Sequence, residues 1–225
     1  MIQTDDSTVL LTVRGQLAPK TLDAARNLHN ETAGSPEGIA AARSLGDLSH
    51  KVYTPVTKAP GTQEGELLFI DTWLNAEGIG KFFSNPHVQT QGSKLFTTRD
   101  PVVWMPARGA FAFHLPAPSA KRERYLGIVR GLVKSPEQAI VTFRQALAPG
   151  LSDARRRGQL SHEIYFRLPM PGSPSAPEMF GIDVWCDAEG MQEHYREMKG
   201  LDAAFAGPPE MSVWEEPRSG GWSEW

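Results

Sequence analysis

Two histidines stand out because each is followed, at the same distance along the chain, by an aspartate that could be its hydrogen-bond partner. His50 precedes Asp71, and His162 precedes Asp183; the second pair lies 112 residues after the first (162 − 50 and 183 − 71). A carboxylate bonded to an imidazole fixes its tautomer and raises its basicity, which suits a general base. We therefore predict these four as candidate catalytic residues, provided that each His and Asp lie on adjacent strands.

A structural role for the two histidines is the alternative. His50 alternates with Leu48 and Val52, and a histidine between aliphatic residues is typical of a core side chain that needs only a hydrogen-bond partner. The pairing fails if the His and Asp side chains lie on opposite faces of the sheet.

Large apolar side chains close to the two aspartates form a second candidate set. Broad flat rings in a concave site can stack on an aromatic ligand, and the same residues can equally serve as core filler. Gly181 occupies the position of Phe69 in the repeat and leaves more room, which favours a pocket in the second half. The predicted substrate-binding wall consists of Trp73, Trp185, Phe69 and Met179.

The repeat extends through the elements that position these residues. Each copy has a strand, a helix, the His-bearing strand, the Asp-x-Trp strand, a second helix after Ala-Glu-Gly, and a short closing strand. The first helix opens near Pro19 in one copy and at Ser135-Pro136 in the other, where Ser is an N-cap and Pro takes the first helical position. The order β-α-β-β-α-β predicts two ferredoxin-like units and an α+β fold class.

Two segments lie outside the repeat. Residues 109–116 could add a strand, and residues 118–124 read as a polar linker. The C-terminal residues 219–225 carry two Trp on a Gly-rich segment and are expected to dock on a neighbouring surface. The predicted domains are 1–108, 109–125 as insert and linker, and 126–225 with the C-terminal tail.

Alternation along the Asp-x-Trp strand separates two faces. Leu68, Ile70 and Thr72 are predicted to lie under the helices, whereas Phe69, Asp71 and Trp73 are predicted on the face that the helices leave bare. A bare apolar face must be covered, and two copies in one chain can cover each other.

Composition excludes several function classes. The net charge of −3 and a pI near 6.1 give no basic field for nucleic acid. Cys186 is the only cysteine, and no His-x-x-x-His, phosphate loop or dinucleotide motif is present, so we predict no metal and no cofactor. The polar start lacks signal-peptide features, and no apolar stretch approaches the roughly 20 residues that span a bilayer. We therefore expect a cytoplasmic protein without nucleic-acid or membrane partners.

Three motifs carry a resemblance to a known family. The segments 46–53, 69–73 and 84–88 resemble the second strand, the Glu/Asp-x-Trp strand and the Ser-Pro-His helix end of antibiotic-biosynthesis monooxygenase-like domains, within the dimeric α/β barrel superfamily. The resemblance covers nearly all of both halves. It implies that the two antiparallel sheets face each other in one intrachain α/β barrel, as a monomeric barrel or within a homodimer.

The resemblance also implies candidate activities. Members of the superfamily include cofactor-independent monooxygenases, haem-degrading enzymes and chlorite-dismutase-like haem proteins. The haem-degrading pattern needs a helix Trp and a later His, whereas this chain has Phe82 and Gly92 there. We therefore predict a small-molecule-binding protein acting as a cofactor-independent monooxygenase on an aromatic ligand, with His50 or His162 as the base. The alternatives are a non-catalytic binding or scaffolding protein and a haem-binding protein that uses one His.

Overall fold

The computed structural model describes residues 8–57, 59, 61–116, 125–170 and 174–225, which form two compact units. Unit 1 contains the described residues up to Thr57 together with Gln63–Trp104 and Pro217–Trp225. Unit 2 contains those of 58–62 and Met105–Glu216. The C-terminal segment, predicted as the tail of the second repeat, therefore belongs to unit 1. The linker predicted at 118–124 lies outside the described residues.

Unit 1 is an antiparallel sheet with two pairs of helices, in the strand order β4-β1-β3-β2. The helices follow the β-α-β-β-α-β order, with each helical segment divided in two. The elements along the chain are β1 (Val9–Leu17), α1 (Leu22–Glu31), α2 (Pro36–Ser44), β2 (Asp47–Pro55), β3 (Glu66–Trp73), α3 (Ala76–Phe83), α4 (Pro86–Leu95) and β4 (Phe96–Pro106).

Unit 2 repeats this order and adds one short strand from the insert. Its strand order is β9-β6-β8-β7-β5, again antiparallel. The strand predicted within 109–116 is present as the two-residue β5, which pairs with the His-bearing strand β7. The elements are β5 (Phe113–His114), β6 (Tyr125–Leu132), α5 (Pro136–Leu147), α6 (Leu151–Arg156), β7 (Gln159–Arg167), β8 (Glu178–Trp185), α7 (Ala188–Glu197) and β9 (Glu210–Glu215).

Side-chain caps fix where the helices begin. The predicted Ser135 cap is confirmed, since its Oγ accepts a hydrogen bond from the Gln138 amide and Pro136 opens α5. The first helix begins later than predicted from Pro19: Thr21 is its N-cap and accepts from the Ala24 amide. Capping by Thr supplies an acceptor that Pro19 lacks.

The prediction of which sheet face the helices cover is wrong. On β3, the ring of Phe69 lies 5.4 Å from that of His29 on α1, and the ring of Trp73 lies 5.6 Å from that of Phe82 on α3. The face that carries Phe69, Asp71 and Trp73 therefore lies under the helices. Leu67 to Asp71 are all buried, so alternation identifies two faces but not which one meets a helix.

The repeated Ala-Glu-Gly has a packing cause. A Cβ on Gly78 in α3 would lie 2.0 Å from the Leu45 carbonyl oxygen, and one on Gly190 in α7 would lie 2.1 Å from the Arg157 carbonyl oxygen. In both units the helix after the Asp-x-Trp strand therefore starts against the backbone that ends the preceding helix. Only a residue without a side chain fits.

We expect Gly78→Ala to lower the free energy of unfolding by about 1–3 kcal/mol, because the backbone must move to admit the methyl group. Gly80→Ala in the same helix is the matched control, since its Cβ would meet nothing within 4 Å. The control should gain up to about 1 kcal/mol from helix propensity. Urea denaturation measures both, and equal effects would contradict the packing account.

Candidate functional site

Unit 1 encloses a cavity of about 340 Å³ between the helices and the inner face of its sheet. Phe69 and Trp73 contribute its floor from β3, and helix residues including Phe82, Val88 and Leu95 contribute the opposite wall. Its size lies within the range of small-molecule sites. Two of the four residues predicted as a ligand wall, Phe69 and Trp73, therefore line one cavity.

A chain of hydrogen bonds runs along the polar edge of this cavity. His50 lies directly opposite Asp71 in the β2–β3 register, and its Nδ1 is 2.5 Å from Asp71 Oδ1. Its Nε2 is 3.0 Å from Nε2 of His29, whose Nδ1 is 3.1 Å from Asn30 Oδ1. His29 and His50 are 0% and 5% exposed. The predicted His50–Asp71 pairing is confirmed, and His29 is a partner that sequence reasoning missed.

The hydrogen bonds of His29 and His50 determine how many protons the two imidazole rings carry. Asn30 Oδ1 also accepts from the Ser223 amide, and Asn30 Nδ2 donates to the Gly221 carbonyl, so the oxygen of Asn30 faces His29. With Asp71 as a carboxylate, the three contacts Asp71–His50, His50–His29 and His29–Asn30 need three N–H protons, one more than two neutral imidazoles carry. The pair therefore holds one positive charge, which balances the carboxylate of Asp71.

The extra proton belongs to His50. Burial, followed by the charge of His50, lowers the pKa of His29 to about 4, so His29 is neutral and donates from Nδ1 to Asn30. Its Nε2 then accepts from Nε2–H of His50, which already donates from Nδ1 to Asp71. His50 is thus an imidazolium with both N–H groups used.

Asp47 is a second carboxylate in the cavity wall that sequence reasoning missed. A β-bulge between Asp47 and Ser49 makes Leu48 the extra residue, so Leu48 is 48% exposed while Asp47 is 4% exposed. Oδ1 of Asp47 has no hydrogen-bond partner within the described part of the chain. Burial, followed by the charge of Asp71, raises the pKa of Asp47 to about 7, and His50 opposes the rise.

The C-terminal segment closes over the histidine pair. Trp225 stacks on His50 with ring centroids 4.7 Å apart, and its carbonyl oxygen accepts from the His50 amide at 2.8 Å. Trp222 packs 5.3 Å from His29. Glu224 accepts from the Val52 amide and lies 3.6 Å from Lys51 Nζ. The predicted docking of the two Trp is confirmed, and Trp225 lines the cavity.

Unit 2 carries the corresponding pair in a different setting. His162 Nδ1 lies 2.6 Å from Asp183 Oδ1, as predicted. Asp183 also accepts from Gln159 Nε2 at 2.9 Å and from the Tyr195 hydroxyl at 2.7 Å. Gln159 stands at the position of Asp47 (47 + 112). Neutral donors therefore satisfy Asp183, and no second carboxylate stands at this position.

Gly181 of unit 2 stands at the repeat position of Phe69 and packs against neighbouring side chains. A Cβ on Gly181 would lie 2.9 Å from Cγ1 of Val129 and 3.6 Å from the ring of Phe143, which is 2% exposed. Met179 and Trp185, both 0% exposed, pack in the core clusters of unit 2 rather than in the described cavity. The preference for a pocket in the second half stays a prediction.

His162 Nε2 is buried without a hydrogen-bond partner in the described chain, and Phe111 stacks on its ring at 6.3 Å.

Among the described residues, no group of three or more His, Cys, Asp or Glu is arranged to hold a metal ion. None of the helices in the described part of the chain is long and apolar enough to cross a bilayer.

Comparison with known proteins identifies the fold through solved structures. No family model matches the sequence, and no curated protein matches it. A structure of an anthrone oxidase-like protein superposes with a TM-score of 0.62 at 14% identity, covering 93% of this chain and 91% of that chain. A candidate monooxygenase from Lactobacillus acidophilus NCFM gives 0.58 at 11%, covering 92% and 93%.

A chlorite dismutase variant from Candidatus Nitrospira defluvii gives a TM-score of 0.56 at 12% identity, covering 95% of this chain and 93% of that chain. At these identities the likeness concerns the fold. The chain shares the ferredoxin-like α+β fold of these proteins.

The buried neutral His29 makes stability depend on pH. Its pKa is about 4 in the folded chain and 6.5 when unperturbed, so unfolding takes up a proton between these values. The contribution of His29 to stability is therefore retained above pH 6.5 and lost as the pH falls toward 4, by up to about 3 kcal/mol. His29→Gln should flatten this part of the curve of unfolding free energy against pH. An unchanged slope would contradict the assignment.

Removing the indole of Trp225 should loosen the cover over His50. We expect Trp225→Ala to cost about 0.5–1.5 kcal/mol from the lost ring contact alone, with a further loss of buried area. Trp225→Phe retains a ring and should recover most of the loss. Thermal denaturation measures the three proteins, and an alanine variant as stable as the parent chain would show that the stacking contributes nothing.

Proposed function

We propose that the cavity of unit 1 binds a planar, electron-rich aromatic molecule and that the chain is a cofactor-independent monooxygenase. The observation that carries the proposal is the joint presence of an aromatic-walled cavity and a buried, charged hydrogen-bond chain along its edge. Apolar walls bind flat rings, while a few buried polar groups orient them and stabilise charge. The three solved relatives with oxygenase or dismutase names share only the fold with this chain, yet the anthrone oxidase-like one supports an aromatic substrate.

The chemistry needs an anion as its starting point. A phenol or an anthrone-type CH2 group that loses a proton becomes electron-rich enough to pass electrons to O2. Carbon then forms a bond to oxygen, the O–O bond breaks, and CH2 becomes C=O while the second oxygen leaves as water. The substrate gives up four electrons and O2 takes up four, so the reaction consumes no external reductant.

His50 serves this reaction as a fixed positive charge. Because both of its nitrogens donate hydrogen bonds, to Asp71 and His29, it has no lone pair with which to take a proton. Its charge is buried at the cavity edge, where a low dielectric strengthens attraction to a substrate anion. In this role His50 is not the base predicted from the sequence. Another group must therefore accept the proton of the substrate.

Two buried indole N–H groups also favour an anionic ligand in this cavity. Nε1 of Trp73 has no hydrogen-bond partner among the described residues, and neither has Nε1 of Trp225. Buried polar groups in native proteins are rarely left unpaired, so such donors at a cavity indicate a ligand acceptor. A phenolate oxygen would supply one.

Haem binding is the alternative that a specific observation favours. His162 has its Nδ1 on Asp183 and its Nε2 buried and unpartnered among the described residues, and a carboxylate-bound imidazole is a common metal ligand. A Soret band on addition of haem, lost in His162→Gln, would support it.

Packing of the two sheets into one intrachain barrel and a cytoplasmic location stay predictions, as does the choice between a monomer and a homodimer.

Oxygen uptake with anthrone tests the proposed function. We expect the chain to consume one O2 per anthrone, and His50→Gln to lower kcat on the order of 10²–10³-fold, because the charge that stabilises the anion is lost. His162→Gln is the matched control in unit 2 and should retain most of the activity. No uptake by the unaltered chain, or equal losses in both variants, would contradict the proposal.

A further inference from the structure

We infer that Asp47 is the base that takes the proton from the substrate. The inference rests on the proposed function and assigns to one residue the step that the proposed chemistry requires. Asp47 lines the cavity, is 4% exposed, and holds a carboxylate oxygen that no described group contacts through a hydrogen bond. Buried carboxylates normally accept several hydrogen bonds, so this empty acceptor indicates a ligand donor.

The other polar groups along the cavity edge are already engaged. His50 donates from both nitrogens, and His29 uses one nitrogen to accept from His50 and the other to donate to Asn30. Oδ1 of Asp71 is engaged by Nδ1 of His50 at 2.5 Å. Asp47 is the carboxylate of this edge whose Oδ1 is fully buried without a hydrogen bond to a described group.

The backbone explains how Asp47 reaches this position. The bulge places Asp47 opposite Trp73 in the β2–β3 register, so carboxylate and indole stand on neighbouring strands. Trp73 lines the same cavity and has a buried N–H without a partner among the described residues. A bound hydroxyl could donate to Asp47 and, once ionised, accept from Trp73. The substrate class is therefore a planar aromatic with an ionisable hydroxyl or its CH tautomer.

The electrostatic surroundings set the pH range in which Asp47 can act. Burial and then Asp71 raise its pKa to about 7, while His50, the Ser49 amide and the Trp225 side chain oppose the rise. Nε1 of the Trp225 indole is buried without a hydrogen-bond partner among the described residues. The charged or titratable side chains that line the cavity from the helices are Glu31, Glu37, Lys81 and His87, and Arg99 lines it from β4. A base must be ionised, so activity should rise with pH through about 7.

Asp47 can take both C–H protons from the substrate and deliver each of them to oxygen. It takes the first proton, leaving the substrate anion beside His50, and returns it to the peroxide that forms on carbon. As the O–O bond breaks, it takes the remaining C–H proton and passes it to the departing hydroxide, which leaves as water. Asp47 ends ionised, as it began.

Turnover of anthrone gives the first test. Asp47→Asn should lose on the order of 10²–10⁴-fold in kcat, the usual contribution of a general base, and Asp47→Glu should recover part of it. The rise of kcat/KM with pH, centred on the pKa of Asp47, should vanish in Asp47→Asn. Gln159→Asn, at the equivalent bulge of unit 2, is the matched control and should keep both rate and pH profile. If Asp47→Asn keeps the parental rate and profile, the inference is wrong although the oxygenase proposal stands.

Proton uptake on binding gives a second test that does not depend on turnover. With para-nitrophenol at about one pH unit above the pKa of Asp47, both the probe and the carboxylate are ionised before they meet. Two adjacent negative charges disfavour each other in a buried site, so binding should take up close to one proton. Asp47→Asn should take up none. Calorimetry in buffers of different ionisation enthalpy measures this number.

The two tests separate the failures. Proton uptake that depends on Asp47, without any O2 consumption, would support Asp47 as the acceptor and overturn the oxygenase proposal. Equal proton uptake by the parent chain and Asp47→Asn would overturn the role of Asp47. Failure of the parent chain to bind para-nitrophenol would contradict both. Asp47→Asn should also gain thermal stability at pH values above about 7, where the buried carboxylate of the parent chain is charged.

Discussion

The burial of the Asp71 carboxylate under the helices of unit 1 is the constraint on which the rest of the site depends. An ionised carboxylate removed from water is costly unless a cation and hydrogen bonds accompany it. His50 supplies the cation, but a doubly protonated His50 needs an acceptor for its second N–H. His29 is that acceptor, and its own second nitrogen is fixed by Asn30. Asn30 is held in turn by the backbone of the C-terminal segment. One buried charge thus explains why α1, β2, β3 and the C-terminal segment meet.

The two units share this frame and satisfy the same aspartate in different ways. In unit 2, Asp183 accepts from a neutral amide and a hydroxyl as well as from His162. Gly127 makes room for that hydroxyl, because a Cβ there would lie 1.9 Å from Oη of Tyr195. Unit 1 has Leu11 opposite Asp71, where unit 2 has Gly127 opposite Asp183. A duplicated fold therefore holds one charged site beside a cavity and one whose aspartate also accepts from an amide and a hydroxyl.

The repeat made much of the fold predictable, because the same spacing separates His50 from Asp71 and His162 from Asp183. In each copy the His and the Asp therefore lie on adjacent strands. The pairing of His with Asp followed from that spacing alone. Alternation could not show which face of β3 meets the helices, since both faces are apolar and buried. It also could not reveal Asp47, because a bulge shifts the face of the strand by one residue at Leu48. The difference between Asp47 and Gln159 at equivalent positions was the one signal that could have marked the site. His29 lies in a helix without a counterpart histidine, so no pattern identified it.

The central claim is that His50 is a buried imidazolium held between Asp71 and a neutral His29. Nitrogen-15 NMR of the histidine side chains at neutral pH tests it most directly, because the two ring nitrogens report separately on their protons. The account predicts both nitrogens of His50 protonated, with His29 protonated at Nδ1 only. His29→Gln should leave the His50 signals in the doubly protonated range and thereby assign them. A neutral His50 at this pH, with a free lone pair on Nε2, would contradict the account and return His50 to the role of base.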